Sequence, residues 1–285
     1  MRSHVWTWCP MALLAWAVML TGSAAAQQLP QQFVAAYRPA AAAMKKAYAQ
    51  GTVEGAVRRT NSLDGLTVNQ RFLIRFVGKW FRCDETTSTQ QGIISRTSPT
   101  NIILATPSVS LRCIQSNQLA DVTNGSQWIP YNEAKAAIEV ICPLSFPYSM
   151  GTEGTIVDML RAGGTQLTAF KTGTQDGMPM IKIEYTQQVA PDGQYGPWDC
   201  SLLISPDEGY ALREYTRTRT QGGSRLTIQG RLRYSVNLDG IPLLEHYTRK
   251  DVQGGRNSVT QQQTISISKF ETTTPNKYFF RADGI

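Results

Sequence analysis

The sequence predicts an α+β fold built on an antiparallel sheet. Three observations carry that expectation. One amphipathic helical stretch lies near the start, long runs of alternating apolar and polar residues fill most of the rest, and turn chemistry separates those runs. At 285 residues and 41% hydrophobic, the chain is long enough for one large β-rich domain and too apolar to stay disordered.

The first 26 residues read as a secretory signal peptide. Arg2 and His4 head a polar start, Met11 to Leu20 is apolar, and Ala24-Ala25-Ala26 supplies a small-residue cleavage site. That apolar core is about half the ~20 residues a spanning helix needs. The expected product is a single domain over residues 27–285, exported to the periplasm or the extracellular space. Cys9 follows Trp6-Thr7-Trp8, not the small residues that precede a lipid-modified cysteine.

Residues 31–50 read as helix, because Phe33, Tyr37, Ala41, Met44 and Tyr48 share one face. Pro39 inside that pattern is expected to break the segment or to start the main helix. Residues 51–112 turn strand-like. Within residues 70–83, Phe72, Ile74, Phe76 and Trp80 fall on one face and Leu73, Val77 and Phe81 on the other. Ile102, Ile103 and Leu104 head a second run before Pro107. Both faces of these runs are partly apolar, as in a sheet covered on two sides.

Residues 132–141 read as a short helix, followed by an apolar loop with two prolines at 142–150 that acts as a lid or as a buried connection. Thr155 is placed to cap another short helix, which Gly163-Gly164 stops. From Met178 onward the chain is strand. Ile181, Ile183 and Tyr185 alternate, and Leu226, Ile228, Leu232, Tyr234 and Val236 all take even positions. Asn237-Leu238-Asp239-Gly240 turns that strand into a hairpin, Pro206-Asp207-Glu208-Gly209 is a tight turn, and Ile265 and Ile267 mark a last strand.

Chemistry is sparse. Outside the signal peptide His246 stands alone, so neither a histidine triad nor an imidazole metal site is expected. Glu184, Glu208, Glu214 and Glu245 are the carboxylates that a hydrolase would draw on, and none sits in a motif. No cofactor fingerprint is present. Cys83, Cys113, Cys142 and Cys200 are too far apart in sequence for a zinc site; in an exported chain they are disulfide candidates, with buried free thiols as the alternative. Asn124-Gly125-Ser126 matches a glycosylation sequon.

The net charge of +7 is spread along the chain, and export argues against a nucleic-acid partner. The densest basic stretch holds Arg213, Arg217, Arg219, Arg225, Arg231 and Arg233. Were its strands paired through Gly222-Gly223, Arg217, Arg219, Arg231 and Arg233 would line one sheet surface and suit an anionic head group. A solvated outer face that discourages aggregation is the alternative.

The order of features resembles the LolA/LolB-like superfamily of bacterial envelope lipoprotein carriers. It runs from signal peptide through N-terminal helix, strands, and a helical insertion with an apolar loop, to long antiparallel strands. The Pro206-Asp207-Glu208-Gly209-Tyr210-Ala211-Leu212-Arg213 turn and the ending Pro275-Asn276-Lys277-Tyr278-Phe279-Phe280 add to it. The resemblance implies a curved antiparallel sheet forming an unclosed β-barrel, covered by helices around an apolar cavity. On that basis Phe72, Ile74, Phe76, Trp80, Phe146, Tyr148 and Met150 are the cavity candidates. The implied function is non-enzymatic: binding or carrying a lipophilic ligand, a lipid or an acylated protein, at or near a membrane surface. The alternatives are an envelope sensor or protein-interaction module using the Arg-rich face, and a carboxylate-dependent hydrolase.

Overall fold

Among the described residues the strands all belong to one fourteen-stranded antiparallel sheet. The computed structural model describes residues 28–98, 100–108, 110–115, 125–150, 154–188, 197–237, 239–254 and 258–280. The expected signal peptide and Asn124 lie outside them. A first wing contains β1 (Gln50–Asn61), β2 (Thr67–Val77), β3 (Trp80–Gln91), β4 (Ile94–Thr97), β5 (Thr100–Ala105), β6 (Ser110–Gln115) and β7 (Gly125–Trp128). A second contains β8 (Thr165–Gln175), β9 (Met178–Gln187), β10 (Trp198–Ser205), β11 (Ala211–Gln221), β12 (Ser224–Val236), β13 (Pro242–Gly254) and β14 (Val259–Glu271).

The strand order is β7-β6-β5-β3-β2-β1-β14-β13-β12-β11-β10-β9-β8, with β4 beside β3. The wings join where β14 pairs with β1, while β7 and β8 end the sheet on opposite edges. This is the curved, unclosed barrel that the sequence implied.

Four helices cover one face. These are α1 (Gln31–Ala47), α2 (Tyr131–Ile141), α3 (Phe146–Ser149) and α4 (Ile156–Arg161). The chain between β7 and β8 carries α2 to α4 from one edge to the other, packing in turn on β5 and β6, on β11 and on β8. The core lies between this layer and the sheet, with Tyr37, Ile74, Ile156, Ile183, Leu202 and Ile265 fully buried.

Helix α1 runs straight through Pro39, where the sequence predicted a break or a start. Pro39 is exposed, and so is Ala35, so the carbonyl that loses its partner N–H faces solvent and is not buried unsatisfied. α4 begins with the expected cap: Thr155 Oγ1 accepts from the Asp158 N–H, and Asp158 accepts from the Thr155 N–H in return.

Residues 70–83 are a hairpin and not one strand. Gly78, at φ 58°, turns the chain between Val77 and Trp80, which face each other. Phe76 therefore pairs with Phe81, and the two rings stack inside, 6.2 Å apart. Trp80 goes to the outer face, where it is 41% exposed and meets Phe280 edge-on.

Aromatic rings on the inner face lie flat over glycines of the next strand. A Cβ on Gly55 would sit 2.7 Å from the Phe72 ring, and one on Gly230 would sit 2.1 Å from Tyr215. Both glycines are the cross-strand partners of those rings. Replacing Gly230 by alanine forces the Tyr215 ring to move and is expected to lower stability by about 1–3 kcal/mol in urea titration. Gly173→Ala, on a strand with open space around that position, is the control and should change little.

Two tyrosines fasten the helical layer. Tyr37 Oη donates to the Tyr148 carbonyl at 2.8 Å and accepts from the Ile156 N–H, tying α1 to α3 and α4. Tyr48 Oη donates to the Pro242 carbonyl at 3.1 Å and accepts from the Leu244 N–H at 2.7 Å, tying the end of α1 to the start of β13. Tyr48→Phe leaves both backbone groups buried without a partner. The expected loss is about 1–3 kcal/mol, read from chemical unfolding midpoints at constant m.

Candidate ligand-binding site

A cavity of about 590 Å³ lies where the helical layer stops short of covering the sheet. Its walls come from the end of α1, from α2, from the 142–149 segment and from β13 and β14. Phe81, Leu144, Phe146 and Tyr148 supply apolar surface; Lys45, Lys135 and Arg249 supply charge. Phe146 meets Tyr215 and Tyr247 edge-on at 6.0 and 5.8 Å, and those two hydroxyls hydrogen-bond to each other at 2.7 Å.

A second hollow of about 310 Å³ continues along the inner face, sharing Arg249 and Gln263 with the first. Arg249 is held by Asp251 through two 2.7 Å bonds, which raise its pKa further. Arg59 donates to the Val140 carbonyl, and burial pulls its pKa down. Glu85 is buried on the same face and accepts from Gln70 and Asn101.

Glu139 is the one acid of the larger cavity. Burial pushes its carboxyl up, against the opposing pull of Lys135 and of the Ser145 hydroxyl. Tyr148 is pushed up to about 12, by burial first and by the Glu139 charge second.

Of the seven cavity candidates read from sequence, Phe146 and Tyr148 line this space. Phe72, Ile74 and Phe76 are 4%, 0% and 1% exposed and fill the core with their own side chains. Met150 is buried at the left-handed turn that ends α3, and Trp80 is on the far face for the parity reason given above. Lys45, Lys135, Glu139, Tyr247 and Arg249 were missed. They come from three separate elements, α1, α2 and β13, and no local spacing marks them.

The four arginines do not share a surface. The hairpin does form through Gly222-Gly223, but Arg217 pairs with Ile228 and Arg231 pairs with Glu214. Directly opposed residues project to the same face, so Arg217 and Arg219 point inward and Arg231 and Arg233 outward. Arg231 is ion-paired with Glu214 at 3.3 Å in an exposed groove that also contains His246 and Arg213.

Cys83, Cys142 and Cys200 are buried free thiols, not the expected disulfide partners; the Cys113 side chain lies outside the described residues. Burial raises all three described thiols, which keeps them un-ionised at neutral pH.

Of the four carboxylates a hydrolase would draw on, Glu184, Glu208 and Glu214 are engaged by bases. Glu184 is held by Lys182 at 2.6 Å, a bond that lowers its pKa; Glu208 is held by Arg213. Among the described residues no three of His, Cys, Asp and Glu are placed to share a metal ion, and no helix is long and apolar enough to cross a membrane.

No protein-family model matches the chain, and no curated protein does. Solved structures that share its layout include a LolA superfamily protein from Nitrosomonas europaea, with 11% identity and a TM-score of 0.41 over 86% of this chain and 99% of that one. Another is a putative outer membrane lipoprotein-sorting protein domain from Vibrio parahaemolyticus, with 10% identity and a TM-score of 0.43 over 86% and 96%. A third is a DUF1329 family protein from Desulfovibrio piger, with 12% identity and a TM-score of 0.41 over 88% and 98%. The likeness concerns strand and helix layout, and no residue role is carried over from it.

Glu139 gives a pH test. Its folded pKa lies above its unfolded one, so the folded state holds the proton more tightly. Its contribution to stability is therefore intact below the ordinary value of 4.5 and falls as pH rises through the raised value. Glu139→Gln should gain stability relative to the parent as pH rises from 4 to 8, in unfolding titrations run at each pH. A difference constant with pH would show that Glu139 is not perturbed.

Proposed function

We propose that the protein binds a lipophilic or amphiphilic ligand, a lipid or an acylated protein, in the cavity under its helices, as a non-enzymatic component of an exported compartment. The observation that carries this reading is the space itself. About 590 Å³ is within the range of small-molecule sites, and it lies at the edge of an apolar core with Phe146 and Tyr148 exposed to it. Burying one methylene there contributes about 0.8 kcal/mol, so an acyl chain of ordinary length offsets the cost of shifting a short helical cover. The layout of residues 1–26, which reads as a signal peptide, supports the export that this reading includes.

Two measurements test it. Lipids extracted from protein purified under native conditions should include acylated species by mass spectrometry. A fluorescent fatty-acid probe should bind the parent, and Ser145→Trp, which places an indole in the cavity, should weaken binding at least tenfold while the fold is kept. Equal probe binding by both proteins would remove this cavity as the site.

A further inference from the structure

We propose that Arg217, with Tyr185 and Arg219 beside it, forms an oxyanion subsite on the inner face that takes a phosphate or carboxylate group on the cavity's ligand. The inference rests on the ligand-binding reading above and names the ligand class: an anionic amphiphile.

One row of cross-strand neighbours sets the site. Tyr185 on β9 faces Cys200 on β10, Cys200 faces Arg217 on β11, Arg217 faces Ile228 on β12, and Ile228 faces Asp251 on β13. All five project inward. Asp251 is the acid of this row, and Arg249 already occupies both its oxygens. The immediate neighbours of Arg217 are thus a thiol and an isoleucine. Its Nε is buried and has no hydrogen-bond partner.

Tyr185 is 1% exposed, and its Oη makes no hydrogen bond of full geometry; it lies against the Cys200 thiol and the Arg217 guanidinium, which satisfy it only weakly. Two buried groups so poorly satisfied in one row are costly, since each forfeits the hydration it would have in water. Burial first and Cys200 second raise the Tyr185 hydroxyl, and the Arg217 charge and its weak hydrogen bond oppose that rise, so the two groups feel each other. An oxyanion answers both: it accepts from the guanidinium and from the tyrosine hydroxyl. The planar fork of arginine suits phosphate and carboxylate alike.

Arg219 lies two residues further along the same face, over the Trp198 ring at 4.8 Å, and adds a second positive charge. Arg217 is only half-buried, so a ligand reaches it from the open end of the face. The subsite is also in register with the cavity. Tyr215, against Phe146, is two residues before Arg217 on the same face, a separation of about 7 Å. A head group on Arg217 leaves its apolar chain pointing at Phe146.

The test is calorimetry on the protein with water-soluble dioctanoyl phosphatidate, dioctanoylglycerol hemisuccinate, dioctanoylglycerol and inorganic phosphate. An anionic amphiphile should bind at least tenfold more tightly than dioctanoylglycerol. Arg217→Gln should remove that advantage and leave dioctanoylglycerol unchanged; Arg217→Lys should restore part of it, and thermal melts check that each variant is folded. A preference for phosphatidate over the hemisuccinate, which carries the same two chains, identifies the head as phosphate, and the reverse as carboxylate. If dioctanoylglycerol binds as tightly as both anions, the subsite is refuted and the lipophilic-ligand reading stands. If inorganic phosphate binds through Arg217 while no amphiphile binds, the subsite stands and that reading falls. Binding by none of the four overturns both.

Discussion

The pairing of β1 with β14 is the constraint from which the rest of this molecule follows. It seals the two wings in the middle of the sheet and leaves β7 and β8 on opposite edges. The chain between those edges must therefore cross a whole face of the sheet. Connections of this kind run over an apolar surface when they carry helices, because the helices bury it. The crossover is thus both a connection and a cover, and the sheet needs no closure to protect its core. It covers only what it crosses. Where it passes, the inner face is Ile74, Ile183 and Leu202; beyond it, the same face carries Arg59, Glu85, Arg217 and Arg249. The cavity lies on that boundary, which is why its lining mixes apolar side chains with Lys45, Lys135, Glu139 and Arg249.

The cover is made of pieces that have no stability of their own. α3 is four residues long and α4 six, far below the length at which a helix holds together in water. They stay helical because Tyr37 and the core beneath hold them. Their hold is wholly tertiary: Ile156 and Val157 are fully buried against the core, where the 142–150 segment is a buried connection. Tyr48 hydrogen-bonds to the start of β13 and not to this segment, so the end of α1 is anchored independently of it.

The layout of the fold was legible because it is written in periods. The face of α1, the Thr155 cap and the alternation on β12 all follow from short-range spacing. What was not legible is what parity and turns decide at longer range. Gly78 reverses the chain and sends Trp80 outward, although the apolar count through residues 70–83 reads as one strand. A one-residue difference in pairing separates Arg217 from Arg231, so two arginines that look equivalent in the sequence face opposite ways. Pro39 was misjudged for a different reason: exposure decides whether a helix tolerates proline, and exposure is not in the local sequence. The cavity lining was illegible in principle, since Lys45, Lys135 and Arg249 meet only after the crossover has been made.

That parity also fixes which charges have consequence. Arg231 and Glu214 form an outer ion pair with side chains 74% and 34% exposed, and a pair in that setting contributes a few tenths to about 1 kcal/mol. Water and salt screen it, and a passing anion gains little from it. Arg217 belongs to the same hairpin, one face away, among Cys200, Ile228 and Tyr185, where water is scarce and its Nε is unanswered. Electrostatic interactions grow several-fold as the surroundings lose water, and so does the penalty for leaving them unmade. The same residue type therefore keeps the outer face soluble and gives the inner face a means to discriminate by charge. On the proposed reading, a ligand that is merely greasy would satisfy the cavity and leave Arg217 and Tyr185 as they are. One with an acidic head would satisfy both, and the difference between the two is the free energy on which selectivity would rest.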